Sequence, residues 1–167
     1  TRSRCGAQGA PELGLRGLTR PQTVPADLDD PDRIHEIRHQ IRRKPALESW
    51  YRECYAKFAD CVARCPPQGE VLELGSGAGF LGEVMPDVTR SDVLPYEGID
   101  RVIDARQLPY PDASLRAILM LNVFHHLPDA DAFLGEAERC LRPGGRLLAI
   151  DQECGWISTP ILRHLHH

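Results

Sequence analysis

The sequence predicts an α/β domain: a parallel sheet with helices on both faces, preceded by a helical extension. Three observations predict it. Short aliphatic runs alternate with helical stretches from Glu70 to Asp151, the first run ends in a glycine-rich turn that opens a helix, and no internal repeat interrupts the alternation. At 167 residues the chain suits one globular domain with a real core.

The elements follow in order. Residues 1–31 are dense in Gly, Pro and short polar residues without a sustained period, so they read as a flexible or extended arm. Residues 32–66 read as a helical preface. Ile34, Ile37 and Ile41 repeat at helical spacing, Asp30 or Asp32 can cap the start, and Pro45 breaks the run. A second helix is expected from Ala46 to Arg64. Its apolar face is Leu47, Trp50, Tyr51, Cys54, Tyr55, Phe58 and Val62, and Pro66-Pro67 stops it. Residues 67–167 form the α/β part. Strands are expected at Glu70–Leu74, Val88–Asp92, Ile99–Asp104, Leu115–Val123 and Arg146–Asp151. Helices are expected at Phe80–Met85 and Pro128–Leu141, the second stopped by Arg142-Pro143-Gly144-Gly145. The chain opens on Thr1, and Ile161 to His167 stops inside an apolar-periodic segment, so the α/β part reads as truncated at its C-terminus. His164, His166 and His167 fall in that segment and read as part of an interrupted helix.

Composition narrows the function. The net charge is -4, and the basic residues, nearly all Arg, are scattered along the chain, so no nucleic-acid surface is expected. Cys5, Cys54, Cys61, Cys65, Cys140 and Cys154 contain no CxxC pair and read as reduced thiols, with no metal site. No apolar run approaches the roughly 20 residues of a membrane span, and no leader opens the chain; a soluble, cytoplasmic protein is the expectation.

The chemistry concentrates in Val71-Leu72-Glu73-Leu74-Gly75-Ser76-Gly77-Ala78-Gly79-Phe80, where a strand ends in an acidic residue and turns through three alternate glycines. Glycines there let the backbone approach a ligand and turn sharply into a helix whose free N–H groups face it. A dinucleotide fingerprint places its third glycine one position later, where this chain has Phe80.

This spacing, with Glu73 ahead of it, resembles the first motif of class I S-adenosylmethionine-dependent methyltransferases. The resemblance runs from Val71 to Asp151 and is closest to small-molecule enzymes of quinone and secondary-metabolite pathways. It implies a Rossmann-like fold that binds S-adenosylmethionine, releases S-adenosylhomocysteine and methylates a small-molecule acceptor by in-line transfer. It also implies roles residue by residue. Glu73, Gly75, Ser76, Gly77 and Gly79 would hold the cofactor. Asp92, 19 positions beyond Glu73, would accept from the ribose hydroxyls, the alternative being a turn residue. Asp104-Ala105, followed by Leu108-Pro109-Tyr110-Pro111-Asp112, is similar to the family's adenine-binding segment, the alternative being a capping Asp. Asn122, in Leu119-Met120-Leu121-Asn122-Val123-Phe124-His125-His126-Leu127-Pro128, would lie beside the methionine portion. His125 or His126 could take a proton from an acceptor hydroxyl, or could simply structure the loop. The helical preface would form part of a lid, with Trp50, Tyr51 and Tyr55 either lining it or packing as a plain core face. Two other readings stay open: a nicotinamide oxidoreductase on the same fold, and a non-catalytic cofactor-binding or scaffolding domain.

Overall fold

The computed structural model describes residues 33–151. The arm, the caps at Asp30 and Asp32, Cys5, Cys154 and the terminal histidines lie outside the described residues. The elements are α1 (Arg33–Arg43), α2 (Pro45–Val62), β1 (Glu70–Leu74), α3 (Leu81–Val84), β2 (Val88–Asp92), β3 (Arg101–Val102), β4 (Leu115–Leu121), a 3-10 turn (Phe124–His126), α4 (Ala130–Cys140) and β5 (Leu141–Ile150). Pro45 separates the first two helices by opening the second, in the first turn, where its missing N–H is no loss.

The five strands form a parallel sheet in the order β3-β2-β1-β4-β5. The sheet therefore grows outward from β1 in one direction, then reverses and grows from β1 in the other. Side chains alternate across it as the strand pleat requires. Val71, Val88, Ala117 and Leu119 face one side and pack with Ile41 of α1, Tyr55, Phe58 and Val62 of α2, and Phe80 and Leu81 at the start of α3. Leu72, Leu74, Ile118 and Met120 face the other and pack with Phe133, Ala137 and Cys140 of α4. Asp129 caps α4 by accepting from the Ala132 N–H at 2.9 Å.

Three boundaries differ from the sequence reading. The strand expected at Ile99–Asp104 pairs only at Arg101 and Val102, because Asp100 is bound by the Arg90 side chain and N–H, and Ile103 turns into the core. The run Arg142-Pro143-Gly144-Gly145 does not stop α4, which has ended by Cys140; it is an irregularity inside β5, whose register slips between the Leu115–Leu141 and Ala117–Arg146 pairs. Pro143, without a donor, and Gly144, at φ +79°, suit such a bulge. The strand expected to reach Val123 ends at Leu121, and Asn122 breaks away at φ +56°.

The connection from β3 to β4 carries no helix. Leu108 and Tyr110 cover the sheet there instead, and Arg139 of α4 holds their backbone, donating to the Tyr110 carbonyl at 2.8 Å and the Leu108 carbonyl at 3.1 Å. Cys54, Cys61, Cys65 and Cys140 are free thiols. Among the described residues no helix is long and apolar enough to cross a membrane.

Candidate active site

Sheet order dictates where a ligand can bind. In an open parallel sheet the crevice lies at the carboxyl ends of the strands where the order reverses, here between β1 and β4. The turn after β1 and the residues after β4 form a cleft at that place, lined by Glu73, Gly75–Gly79 and Leu121–Val123, with Tyr51 and Tyr55 of α2.

The turn is held from four directions. Ser91 of β2 donates its hydroxyl to the Glu73 carbonyl at 2.7 Å and accepts the Ser76 N–H at 2.9 Å. The Gly77 N–H donates to Asp92 at 3.0 Å, and the Tyr96 hydroxyl lies 3.2 Å from the Gly77 carbonyl and 3.3 Å from the Asp92 carboxylate. Arg38 of α1 donates to the carbonyls of Ala78 and Gly77 at 3.3 and 3.4 Å. From α2, the Tyr55 hydroxyl accepts the Phe80 N–H at 2.9 Å.

The three glycines serve different needs. A Cβ on Gly75, at φ +69°, would collide with Val123, and one on Gly79 would lie 2.8 Å from both the Ser76 carbonyl and the Tyr55 hydroxyl. Both glycines are required by packing. Gly77, at φ +45°, would meet only the Gly75 carbonyl at 3.9 Å, so open space lies before it.

Glu73 is the most perturbed acid of the site. Its side chain is buried, 3 % exposed, and accepts the Ser76 hydroxyl at 2.7 Å. Burial pushes its pKa up to about 7; the Asp92 charge adds to this, while Ser76, Arg90 and Arg38 oppose it. Asn122 adds a second unusual group: its N–H donates to the Ile150 carbonyl at 2.8 Å, and its buried side-chain oxygen has no partner among the described residues.

The remaining sequence candidates lie around this cleft rather than in it. Asp92 adjoins it through Gly77 and also accepts the Leu94 N–H at 3.2 Å. Asp104 is exposed and gripped by Arg106, whose guanidinium and N–H hold its carboxyl down at about 2. Ala105 packs on the α4 side of the sheet. His125 and His126 stand on the turn after β4 with ring centroids 4.0 Å apart. The His125 N–H donates to Asp151 at 3.2 Å, and its Nδ1 makes a close pair with the same carboxylate. Tyr51 and Tyr55 line the cleft and belong to the aromatic core at once: Tyr51 stacks on Phe80 at 5.7 Å and Tyr55 is fully buried. Trp50 is partly exposed and does not line the cleft.

Arg38, Tyr96 and Asp151 had no part in the sequence reading of the site. Arg38 is one of several arginines on an arginine-rich helix, and only its fold partner distinguishes it. Tyr96 could have been found, since an aromatic hydroxyl four residues beyond Asp92 on a turn can fold back on that carboxylate.

A family model described as "Methyltransferase domain" matches residues 72–149. The chain is 30% identical over 135 residues to a ubiquinone/menaquinone biosynthesis C-methyltransferase of Desulfotalea psychrophila, covering 70% of this chain and 53% of that one. It is 50% identical over 52 residues to the 27-O-demethylrifamycin SV methyltransferase of Amycolatopsis mediterranei, covering 29% of this chain and 19% of that protein. The chain spans about half the length of the curated relatives it matches along most of its own. Among solved structures, a SAM-dependent methyltransferase from Aquifex aeolicus matches with a TM-score of 0.51 at 21% identity, over 81% of this chain and 87% of the other, which is a likeness of fold.

Proposed function

Since the chain belongs to the class I S-adenosylmethionine-dependent methyltransferase family, we propose that it transfers a methyl group to a small-molecule acceptor. S-adenosylmethionine is the cofactor that this membership brings, and S-adenosylhomocysteine the product. The observation that carries the proposal is the open space before Gly77, flanked by buried Glu73 and by the side-chain oxygen of Asn122, which no described residue engages. A tight turn with vacant room, an acid and an unpaired acceptor suits a ligand that carries positive charge and hydrogen-bond donors.

The cofactor supplies an activated methyl group on a sulfonium, so the protein's work is alignment and exclusion of water. Gly75, Ser76, Gly77 and Gly79 shape the turn against it. Glu73 offers negative charge to its cationic end, and Asn122 accepts a hydrogen bond on the β4 side. Asp92 spends part of its accepting capacity on Gly77, Leu94 and Tyr96, and a carboxylate has about four acceptor positions; the remainder goes to ribose hydroxyls. Asp104 and Ala105 would receive the adenine, for which Asp104 must exchange its hold on Arg106. His125 and His126 are the candidates for proton acceptance from the acceptor.

A dinucleotide would need the N-terminus of the helix after the turn for its pyrophosphate. Here the Phe80 N–H is taken by Tyr55, the Phe80 ring is buried, and α3 is only four residues long. Isothermal titration of the full chain with S-adenosylhomocysteine and then NADH tests the reading: saturable binding of the first and none of the second is expected. Binding of NADH alone, or of neither, overturns it.

A further inference from the structure

We propose that Arg116 and Arg146 form the seat of a second ligand site, at the opposite end of the sheet from the cleft, and that the ligand is a phosphate group. The site stands independently of the methyltransferase reading above.

The chain crowds together where β4 begins. Gly69, in the loop between α2 and β1, has φ +98° and approaches β4 closely: a Cβ on it would lie 2.7 Å from the Ser114 carbonyl and 3.1 Å from the Arg116 nitrogen. On the other flank, a Cβ on Gly145, in the β5 bulge, would lie 3.1 Å from the Arg116 carbonyl. Pro66, just beyond α2, closes the gap, since a Cβ on Gly144 would meet its ring at 3.3 Å. Arg116 therefore leaves β4 between two crossings that only glycine permits. Arg146 ends the bulge and pairs with Ala117, the next residue of β4. Both guanidinium charges act on the thiol of Cys65, which precedes Pro66, so the two side chains flank one spot at the end of α2. At about 3.3 Å per residue, β4 sets this spot roughly 15–20 Å from the cleft.

Both residues are cations without a counter-charge. Arg116 is half-buried, its Nε is cut off from solvent, and no described residue accepts from it. No carboxylate of a described residue pairs with Arg116 or Arg146. Other arginines of the fold are answered: Arg90 by Asp100, Arg101 by Glu70, Arg106 by Asp104, and Arg139 by Asp112 and Glu136. A cation drawn partly out of water without a partner is costly, and arginine is rarely buried unless paired. The pair therefore calls for an anion.

The donors select its class. Each guanidinium is a planar fork that takes two oxygens, and the two forks come from neighbouring strands. A single carboxylate holds its two oxygens in one plane and answers one fork. A phosphate ester has three free oxygens arranged around phosphorus, so it answers both, and its charge of about −1.5 to −2 at neutral pH matches the two cations. Arg64, next to Cys65 in the chain, and Arg142, at the start of the bulge, raise the positive charge around the seat.

Calorimetry and thermal melts of the full chain, with inorganic phosphate and with glycerol phosphate, test the site. Citrate and S-adenosylhomocysteine are the controls. Expected is saturable phosphate binding that raises the melting temperature and is indifferent to S-adenosylhomocysteine. Arg116→Gln and Arg146→Gln should each raise Kd roughly tenfold or more, as loss of a charge-assisted hydrogen bond does. Arg43→Gln should leave Kd alone: it removes an exposed arginine, likewise without an ion partner among the described residues, near the start of α2, a helix about 27 Å long that ends by Cys65. Arg146 is exposed, so its variant carries the test if Arg116→Gln does not fold. Tighter binding of glycerol phosphate assigns the site to a phosphorylated small molecule, and tighter binding of inorganic phosphate to the free ion; both support it. Alkylation of Cys65, followed by peptide mass spectrometry, gives a second readout, slowed by phosphate in the unaltered chain and not in Arg146→Gln. The proposal is overturned by any of four results: no saturable binding, an equal loss in Arg43→Gln, citrate binding more tightly than phosphate, or displacement of phosphate by S-adenosylhomocysteine.

Discussion

The two halves of the cleft are built on opposite plans. On the β1–β2 side the turn is spoken for by the protein itself: Ser91, Asp92, Tyr96, Arg38 and Tyr55 take its amides and carbonyls. On the β4–β5 side neither the buried side-chain oxygen of Asn122 nor Nε2 of His125 is engaged by a described residue. The difference separates a rigid anchor, whose geometry exists before any ligand arrives, from a receptive edge whose polar groups are completed by what binds. Preorganisation of the first lets binding energy be used on the second.

If the anchor is rigid because of packing, its tightest position should be the most sensitive. Gly75→Ala forces a Cβ onto Val123 at a backbone angle that L-residues avoid, and should cost about 2–5 kcal/mol of folding stability. Urea denaturation measures it, and a loss below about 1 kcal/mol would mean that the turn is not held as described.

Asp92 lies where anchor and ligand meet. Asp92→Ala should weaken S-adenosylhomocysteine binding by about 1.5–3 kcal/mol in calorimetry, and Asp92→Asn by less, because the amide oxygen still accepts. Unchanged affinity would reduce Asp92 to a brace for Gly77.

Glu73 sharpens the comparison through pH. Its folded pKa, about 7, is raised above the ordinary carboxyl value of 4.5. The folded chain therefore binds a proton that the unfolded chain has released, and the associated stability is full below about pH 4.5 and lost as pH rises through 7. Glu73→Gln, neutral throughout, should raise stability at pH 8 by on the order of 1–3 kcal/mol relative to its effect at pH 4.5. Thermal melts at the two pH values check this. Adding S-adenosylmethionine should narrow the gap, because a cationic ligand favours the ionised acid.

The smallest effect belongs to the receptive edge. Asn122→Gly keeps the left-handed backbone and removes the unpartnered oxygen, so ligand-free stability should change by less than about 0.5 kcal/mol. Affinity for S-adenosylhomocysteine should fall by about 0.5–1.5 kcal/mol. The opposite result, lost stability at constant affinity, would make Asn122 part of the anchor and dissolve the distinction.

What the sequence disclosed follows the same division. β1 and β4 were legible because a strand buried on both faces is largely an aliphatic run, β2, with Val88 its one aliphatic residue, because the alternation of the chain calls for a strand there, and the glycine turn because its constraints are local. β3 was overextended because Ile99 and Ile103 look like strand residues, although pairing stops where Asp100 turns to Arg90 and Ile103 enters the core. The Pro-Gly run was assigned to a helix end because those residues end helices and bulge strands by the same physics. The grip of Arg38 on the turn and of Asp151 on His125 spans about 40 and 26 positions, and no local pattern encodes contacts at that separation. Among the candidates, Glu73, Ser76, the glycines and Asn122 come together in the cleft; Asp104 and Ala105 do not line it.

The reversal of the sheet at β1 also orders assembly in time. β1 reaches β2 across a short connection through α3, whereas it reaches β4 only after the chain has passed through β2, β3 and the helix-free loop, so the second closure carries the larger entropic cost. The anchor can condense early as a local unit. The receptive edge exists only once β4 and β5 have docked, and in hydrogen exchange the amides of Asn122 and the following turn should open at lower free energy than those of β1.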